Sequence, residues 1–219
     1  MAELSQRQDI QIGGSLKPHC PPLAYSSAAQ QEFLGQAGQR PIWLAASCHA
    51  ADEDVALQVQ RQLVEQGGSH LLILAPRFPD RRAEILAKLS GLNHAQRSRG
   101  EAPNAQTQVY LADTIGETDL WYALSPIVFL GGSFGREGGH TPYEPAKTGC
   151  YVLSGPNVAN FKDAYARLSR EGYATLLDSS TALAQALTTH MRRPHKAPWQ
   201  SQSENTVAKT AAKLLSYVP

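Results

Sequence analysis

No stretch of this sequence approaches the roughly 18 consecutive apolar residues that a membrane-spanning helix requires, and its amino terminus lacks the basic-then-apolar layout of a secretory signal. Both absences set the expectation of a soluble, cytosolic chain. An excess of charge of one sign is missing as well: 20 Lys+Arg stand against 19 Asp+Glu, a formal net charge of +1. That balance offers no electrostatic footprint for nucleic acid and no basic helix for anionic lipid, so a charged ligand has to be met locally. Cysteine is scarce. Cys20, Cys48 and Cys150 are odd in number and widely spaced, which supports neither a disulfide framework nor a zinc site and favours reduced thiols. No acidic cluster has metal-ligand spacing, so neither a metal nor a cofactor is expected, and the chain has no internal repeat or extended low-complexity tract.

What is present is ordinary in bulk and unusual in one place. With 219 residues, 42% of them hydrophobic and 18% charged, the composition fits one main globular domain. Residues 1–25 are polar and proline-bearing, with one short alternation at Ile10-Gln11-Ile12 that reads as an edge strand or as part of a linker. From Pro41 the pattern changes: apolar runs of strand length (Ile42 to Ala46, Leu71 to Ala75, Val109 to Ala112, Ile127 to Leu130, Tyr151 to Leu153) alternate with longer amphipathic stretches. This predicts βαβ units and an α/β, Rossmann-like parallel sheet flanked by helices.

The helices carry their own signals. Asp52-Glu53-Asp54 put negative charge in a first turn, Val55, Val59 and Leu63 recur on one face, and Gly67-Gly68 supply a stop. Pro79 fits a first helical position, followed by an inward stripe of Ile85, Leu86 and Leu89. Further helices are expected over Glu117 to Leu124, Phe161 to Arg170, Ser180 to Met191 and Asn205 to Ser216. The stretch from His195 to Ser203, rich in proline and polar residues, reads as a connection that lets the last helix pack elsewhere.

In an open α/β sheet, ligands bind beyond the carboxyl ends of the strands, where loops and helix amino termini collect. The residues there are Ser47-Cys48-His49, Pro76-Arg77, Asp113-Thr114-Ile115-Gly116-Glu117, the loop Gly131-Gly132-Ser133 with Gly138-Gly139-His140, and Gly155 to Asn160. Two glycine pairs lie between an apolar run and a short helix that Pro142 and Glu144 would open, so backbone amides can approach an anion closely.

Each of these residues has two readings. Ser47 is a helix cap or a ligand contact; His49 is a solvated loop residue or part of the site. Arg77 is suited to bidentate contact with phosphate or carboxylate, or to a surface ion pair. Asp113-Thr114 reads as a cap for the helix near Gly116. Glu144 complements its helix turn or grips a ribose diol. His140 donates to an anionic oxygen or is held by carbonyls, and Asn160 caps the next helix or completes a polar shell.

The order and spacing of several motifs resemble the carboxyl-terminal half of 3-deoxy-D-manno-octulosonic acid (Kdo) transferases. They are Arg40 to His49, Leu74-Ala75-Pro76-Arg77, Thr107-Gln108-Val109 with Asp113 to Glu117, Gly131-Gly132-Ser133, Gly139-His140-Thr141-Pro142-Tyr143-Glu144-Pro145 and Gly155 to Phe161. The resemblance runs from about Ile12 to His190, with Gly13-Gly14-Ser15-Leu16-Lys17 at the family's interdomain junction. Departures are present: the usual Ser-Thr-His-x-Gly-Glu is Ser47-Cys48-His49-Ala50-Ala51-Asp52, the usual Pro-Arg-His is Pro76-Arg77-Phe78, and Thr141 and Tyr143 replace Asn and Leu.

The resemblance implies the donor half of a two-domain GT-B glycosyltransferase: a junction at 1–25, a donor-binding domain at 26–194, and a connection with terminal helix at 195–219. It implies CMP-Kdo as the ligand and transfer of Kdo to a lipid A precursor, without a metal, by an enzyme on the cytoplasmic face of the bacterial inner membrane. The acceptor domain, which supplies the family's general base, is not in this sequence, so the chain alone is expected to bind nucleotide weakly and transfer nothing. The implied donor shell is Ser47, His49, Arg77, Thr114, Gly116, Gly131, Gly132, Ser133, Gly138, Gly139, His140, Glu144 and Asn160. Two other readings remain open on the residues: a nucleotide-sugar epimerase using a uridine diphosphate donor, and a noncatalytic binding or assembly module.

Overall fold

The computed structural model describes residues 17–19, 24–191, 196–201 and 205–216. The chain divides into two compact units, Pro22–Trp199 and a second made of Met1–Pro21 with Gln200–Pro219. In the large unit seven strands, β1 Ile42–Cys48, β2 Leu71–Pro76, β3 His94–Gln96, β4 Val109–Leu111, β5 Ile127–Leu130, β6 Tyr151–Ser154 and β7 Ala174–Leu176, form one sheet in the order β3-β4-β2-β1-β5-β6-β7. Every pairing is parallel, as the apolar runs predict, because a sheet covered on both faces needs strands apolar on both sides.

The covering helices are α1 Ser27–Ala37, α2 Ala50–Glu65, α3 Arg82–Lys88, α4 Thr118–Leu124, α5 Tyr143–Lys147, α6 Lys162–Arg170 and α7 Ser180–His190. Alternate residues of β1 enter opposite cores. Ile42, Leu44 and Ala46 pack with Phe33, Trp121 and Tyr165; Trp43 and Ala45 pack with Leu57, Leu63, Ile85, Leu183 and Leu187. Cys48 breaks the alternation by joining the second group. The pairing with β2 shifts between Ala46 and Cys48, and Ser47 has φ 54°, so one extra residue bulges from the strand and its side chain leaves the core for the rim.

Several expectations are revised. Ser47 and Cys48 belong to β1 rather than to the loop after it. Pro79 opens a 3-10 turn, Pro79–Arg81, ahead of α3, and another 3-10 turn, Ala159–Phe161, precedes α6. Neither β3, β7 nor α1 is anticipated. The two edge strands are three residues long with no apolar run, and α1 buries only Phe33 and Ala37.

The 196–199 segment does more than connect. Lys196 N donates to Gly149 O at 3.0 Å and Trp199 N to Ala146 O at 2.9 Å, while the buried Trp199 ring stacks on Tyr143 at 5.0 Å. In the second unit the described elements are a 3-10 turn, Lys17–His19, and helix α8, Asn205–Leu215. The Ile10–Ile12 alternation, the Gly13–Leu16 part of the junction, Cys20 and His195 lie outside the described residues. Among the described residues, no helix is long and apolar enough to cross a membrane.

The topology fixes where a ligand site can form. From β1 the chain runs through α2 to β2 on one side, and it returns from β4 through α4 to β5 on the other side of β1. The loops leaving β1 and β5 therefore diverge and open a crevice at the carboxyl edge of the sheet.

Candidate functional site

The crevice is held open by one carboxylate. Asp52, fully buried in the first turn of α2, accepts from the amides of His49 at 3.0 Å, Gly132 at 2.7 Å, Ser133 at 3.1 Å and Phe134 at 3.0 Å. An ionised carboxylate with several backbone donors is a strong charge-assisted anchor. It ties the loop after β1 to the loop after β5. Gly131 completes the junction, since a Cβ there would lie 2.7 Å from both Cys48 Cα and Ser47 O.

This anchor corrects part of the expected ligand shell. The amides of Gly132 and Ser133 are taken by Asp52, and buried Ser133 uses its hydroxyl between Leu130 O, at 3.1 Å, and the Gly155 amide, at 2.7 Å. Gly139 N donates to Gly132 O at 2.7 Å. Gly131, Gly132, Ser133 and Gly139 therefore shape the loop rather than offer free donors. Gly138 N makes no hydrogen bond with a described residue, and Asn160 braces that turn, donating Nδ2 to Glu137 O at 2.8 Å and its amide to Gly138 O at 3.0 Å. Asn160 is thus a loop brace and not the cap of α6.

Other candidates do converge. Ser47, Arg77, Thr114 and Gly116 line one pocket of about 150 Å³ between the ends of β1, β2 and β4, floored in part by Trp121. Arg77 is fixed by its backbone, whose amide donates to Cys48 O at 2.9 Å. Its exposed guanidinium lies 5.4 Å from the Phe78 ring centroid and makes no hydrogen bond or ion pair with a described residue. The Thr114 hydroxyl is less free, because it donates to Glu117, which in turn pairs with Arg97 at 2.6 Å. Asp113 does not cap a helix. It is buried and accepts from Gln96 Nε2 at 2.7 Å, Ser98 N at 2.9 Å and Ser98 Oγ at 2.7 Å. Burial pushes its carboxyl upward, but the Ser98 and Gln96 bonds outweigh that and hold it below the ordinary carboxylate range.

Across the crevice the two histidines meet. His49 Nε2 and His140 Nε2 are 3.3 Å apart, the Phe78 ring stands edge-on to His49 at 5.5 Å, and Glu137 Oε1 lies 3.7 Å from His49 Nδ1. His140 is shifted toward its neutral form, first by burial and then by the positive fields of His49 and Arg77, with Asp52 and Glu137 opposing. Glu144 stands exposed on α5, with no side-chain hydrogen bond or ion pair to a described residue. That helix has only five residues, too short to add much dipole at its amino end.

Sequence reasoning missed Glu137 and gave Asp52 only its first-turn role. The spacing of His49 and Asp52 carries the capping-box signal, yet nothing local shows that the same carboxylate reaches a loop some 80 residues later. Glu137, between Arg136 and Gly138, has no signal at all.

No protein-family model matches the chain. The 3-deoxy-D-manno-octulosonic acid transferase of Haemophilus influenzae is 39% identical over 145 residues, covering 65% of this chain and 34% of that protein. The enzyme of the same name from Bordetella pertussis is 36% identical over 183 residues, covering 79% of this chain and 41% of that protein. The C-terminal CMP-Kdo binding domain of WaaA from Acinetobacter baumannii superposes with a TM-score of 0.72 at 28% identity, over 85% of this chain and 96% of that domain. The chain belongs to the Kdo transferase family. It spans only 34% and 41% of the two curated relatives, and what it matches within the family is a carboxyl-terminal domain.

Proposed function

We propose that this domain holds the CMP-Kdo donor of a glycosyltransferase that moves Kdo onto a lipid A precursor, with residues 26–194 as the donor-binding part. The observation that carries the reading is the convergence of Arg77, His49 and His140 at the sheet's switch point, in a chain that corresponds to nearly the whole of a CMP-Kdo binding domain. A nucleoside monophosphate leaving group carries its charge on one phosphate. A guanidinium with no hydrogen bond or ion pair to a described residue, an imidazole, and a Gly138 amide likewise unbonded among the described residues suit that charge without a metal. Ser47, bulged out of β1, adds a hydroxyl at the pocket, and exposed Glu144 is free to accept from both hydroxyls of a ribose.

The attacking hydroxyl and its general base belong to an acceptor domain, so this chain binds donor and stabilises the departing cytidylate while the partner half, at the cytoplasmic face of the bacterial inner membrane, presents the lipid. Calorimetry with CMP, CDP and UDP tests the donor assignment. Preference for CMP is expected; preference for UDP, or failure of all three to bind or to raise the melting temperature, overturns it. The isolated chain is expected to show no transfer to a lipid A precursor.

A further inference from the structure

One hydroxyl in the pocket at the ends of β1, β2 and β4 has its direction set from outside that pocket. The Thr114 hydroxyl donates to Glu117, and a threonine has a single proton to give. Glu117 is gripped in turn by Arg97, whose Nη2 donates to Oε1 at 2.6 Å and whose Nε lies 3.2 and 3.1 Å from the two carboxylate oxygens. The Arg97 bonds outweigh burial, the Thr114 bond adds to them, and together they hold the Glu117 carboxyl below its ordinary range. It is therefore ionised and acceptor-only near neutrality. Turning the Thr114 proton into the pocket would take a charge-assisted bond from that carboxylate. Thr114 Oγ1 makes no other hydrogen bond with a described residue, so toward the pocket it lines it shows lone pairs and no proton.

The rest of the lining says what kind of group meets that oxygen. The pocket, of about 150 Å³, has room for one ring and not for a whole nucleotide, and Ala75, Pro76, Ala112, Ile115 and Trp121 give it apolar walls. Such walls suit the faces of a planar heterocycle, which carries its polar atoms on its edge; a sugar would set hydroxyls against them. Arg77 lines the same pocket, where it can hold the phosphate that follows the base. We propose that this pocket seats the pyrimidine of the donor, and that Thr114, its proton committed to Glu117, selects cytosine over uracil by accepting from the 4-amino group where uracil presents a 4-oxo group. This deepens the donor reading and rests on it for the presence of a nucleotide. An oxo group set against the Thr114 lone pairs leaves two acceptors facing each other, which rejects uracil as well as favouring cytosine. Ser47 and Thr118 also line the pocket, and their hydroxyls bond to no described residue. A free hydroxyl turns to suit either partner, so these two can meet the 2-oxo group that both bases share without telling them apart. Thr114 is the group that touches the base; Glu117 and Arg97 are positioning residues.

Calorimetry with CMP, UMP and the monophosphate of the pyrimidin-2-one riboside tests this. Uracil differs from cytosine at N3 as well as at C4, whereas the pyrimidin-2-one keeps the N3 of cytosine and lacks only the amino group. The wild type should bind CMP roughly tenfold more tightly than either of the other two. Thr114→Val, which keeps the shape and removes the acceptor, should weaken CMP to the level of the pyrimidin-2-one nucleotide and leave that nucleotide's affinity as it was; Thr114→Ser should keep the preference. Glu117→Ala frees the Thr114 proton to turn into the pocket, so the ratio of CMP to UMP affinity should shrink toward one, which a merely structural role of Glu117 would not produce because it would weaken both nucleotides alike. Equal wild-type affinity for CMP and the pyrimidin-2-one nucleotide, or an equal loss of both in Thr114→Val, overturns the selector while leaving a domain that binds nucleotide. An unchanged ratio in Glu117→Ala overturns the part given to Glu117. Failure of all three to bind overturns the donor reading and the base pocket with it.

Discussion

The carboxylate of Asp52 lies 2.7 Å from the amide nitrogen of Gly132 and is fully buried there. A protein acid therefore occupies the amide cluster that a glycine-rich loop would otherwise present to a ligand anion. A ligand anion, as proposed, would meet Arg77 and His140 instead. Asp52→Ala would leave four amides, those of Gly132 and Ser133 fully buried, without their acceptor, and each buried one costs about 1–3 kcal/mol. We expect a loss on the order of 3 kcal/mol or more in urea denaturation, together with loss of CMP binding. Native stability in this variant would remove the anchor from the account of the site.

Arg77 makes the opposite case, because its guanidinium, 5.4 Å from the Phe78 ring centroid, makes no hydrogen bond or ion pair with a described residue. Arg77→Ala should change stability by no more than about 0.5 kcal/mol but weaken CMP by about 1.5–3 kcal/mol, the contribution of a charged hydrogen bond. Arg77→Lys should recover only part of this, since a point charge replaces a planar fork. Equal CMP affinity in wild type and Arg77→Ala, measured by calorimetry, would place the phosphate elsewhere.

Asp113 gives the fold a pH dependence of known sign. Its folded carboxyl is held below the ordinary 3.8 by bonds from Ser98 and Gln96 that outweigh burial, and Glu117 is held below 4.5 chiefly by Arg97. A carboxyl depressed in the native state contributes stability that is fully present above its unfolded pKa and is lost as pH falls through the folded one. Wild-type stability should therefore hold down to about pH 5 and then decline. In Asp113→Asn that decline should be shallower, from a lower plateau. Acid titrations followed by circular dichroism compare the two directly, and parallel curves would deny Asp113 this role.

How far these features are legible in the sequence depends on what each residue answers to. Strands β1, β2, β4, β5 and β6 announce themselves because both faces are buried, so Leu71-Leu72-Ile73-Leu74 leaves little alternative. The edge strand His94-Ala95-Gln96 has no such constraint and exists because β4 offers it a partner. Helix α1 hides for a related reason, with only Phe33 and Ala37 buried among small and polar residues. At the site, strand ends and glycine pairs locate the crevice, because topology dictates where loops diverge. Which amides remain free does not follow from local pattern, since Asp52 settles that from 80 residues away.

Trp199 joins the end of the large unit to the helix that carries Glu144. Its ring stacks on Tyr143 and lies under the guanidinium of Arg167 at 5.0 Å, its amide donates to Ala146 O, and its Nε1–H donates to Glu171. Helix α5 is too short to be stable by itself, so it takes its position from β6 behind it and from this strap in front. Trp199→Ala opens a cavity against Tyr143 and should cost about 3 kcal/mol; Trp199→Phe keeps an aromatic face, loses the bond to Glu171 and should cost about 1 kcal/mol. The effect should also be local. The amide of Cys150, bonded to Pro145 O at the end of α5, should exchange with solvent faster in Trp199→Ala relative to the amides of β1. CMP affinity should fall as Glu144 loses its fixed place. Uniform acceleration of exchange across the sheet would make Trp199 a global stabiliser instead, and the strap would have no bearing on the placing of Glu144.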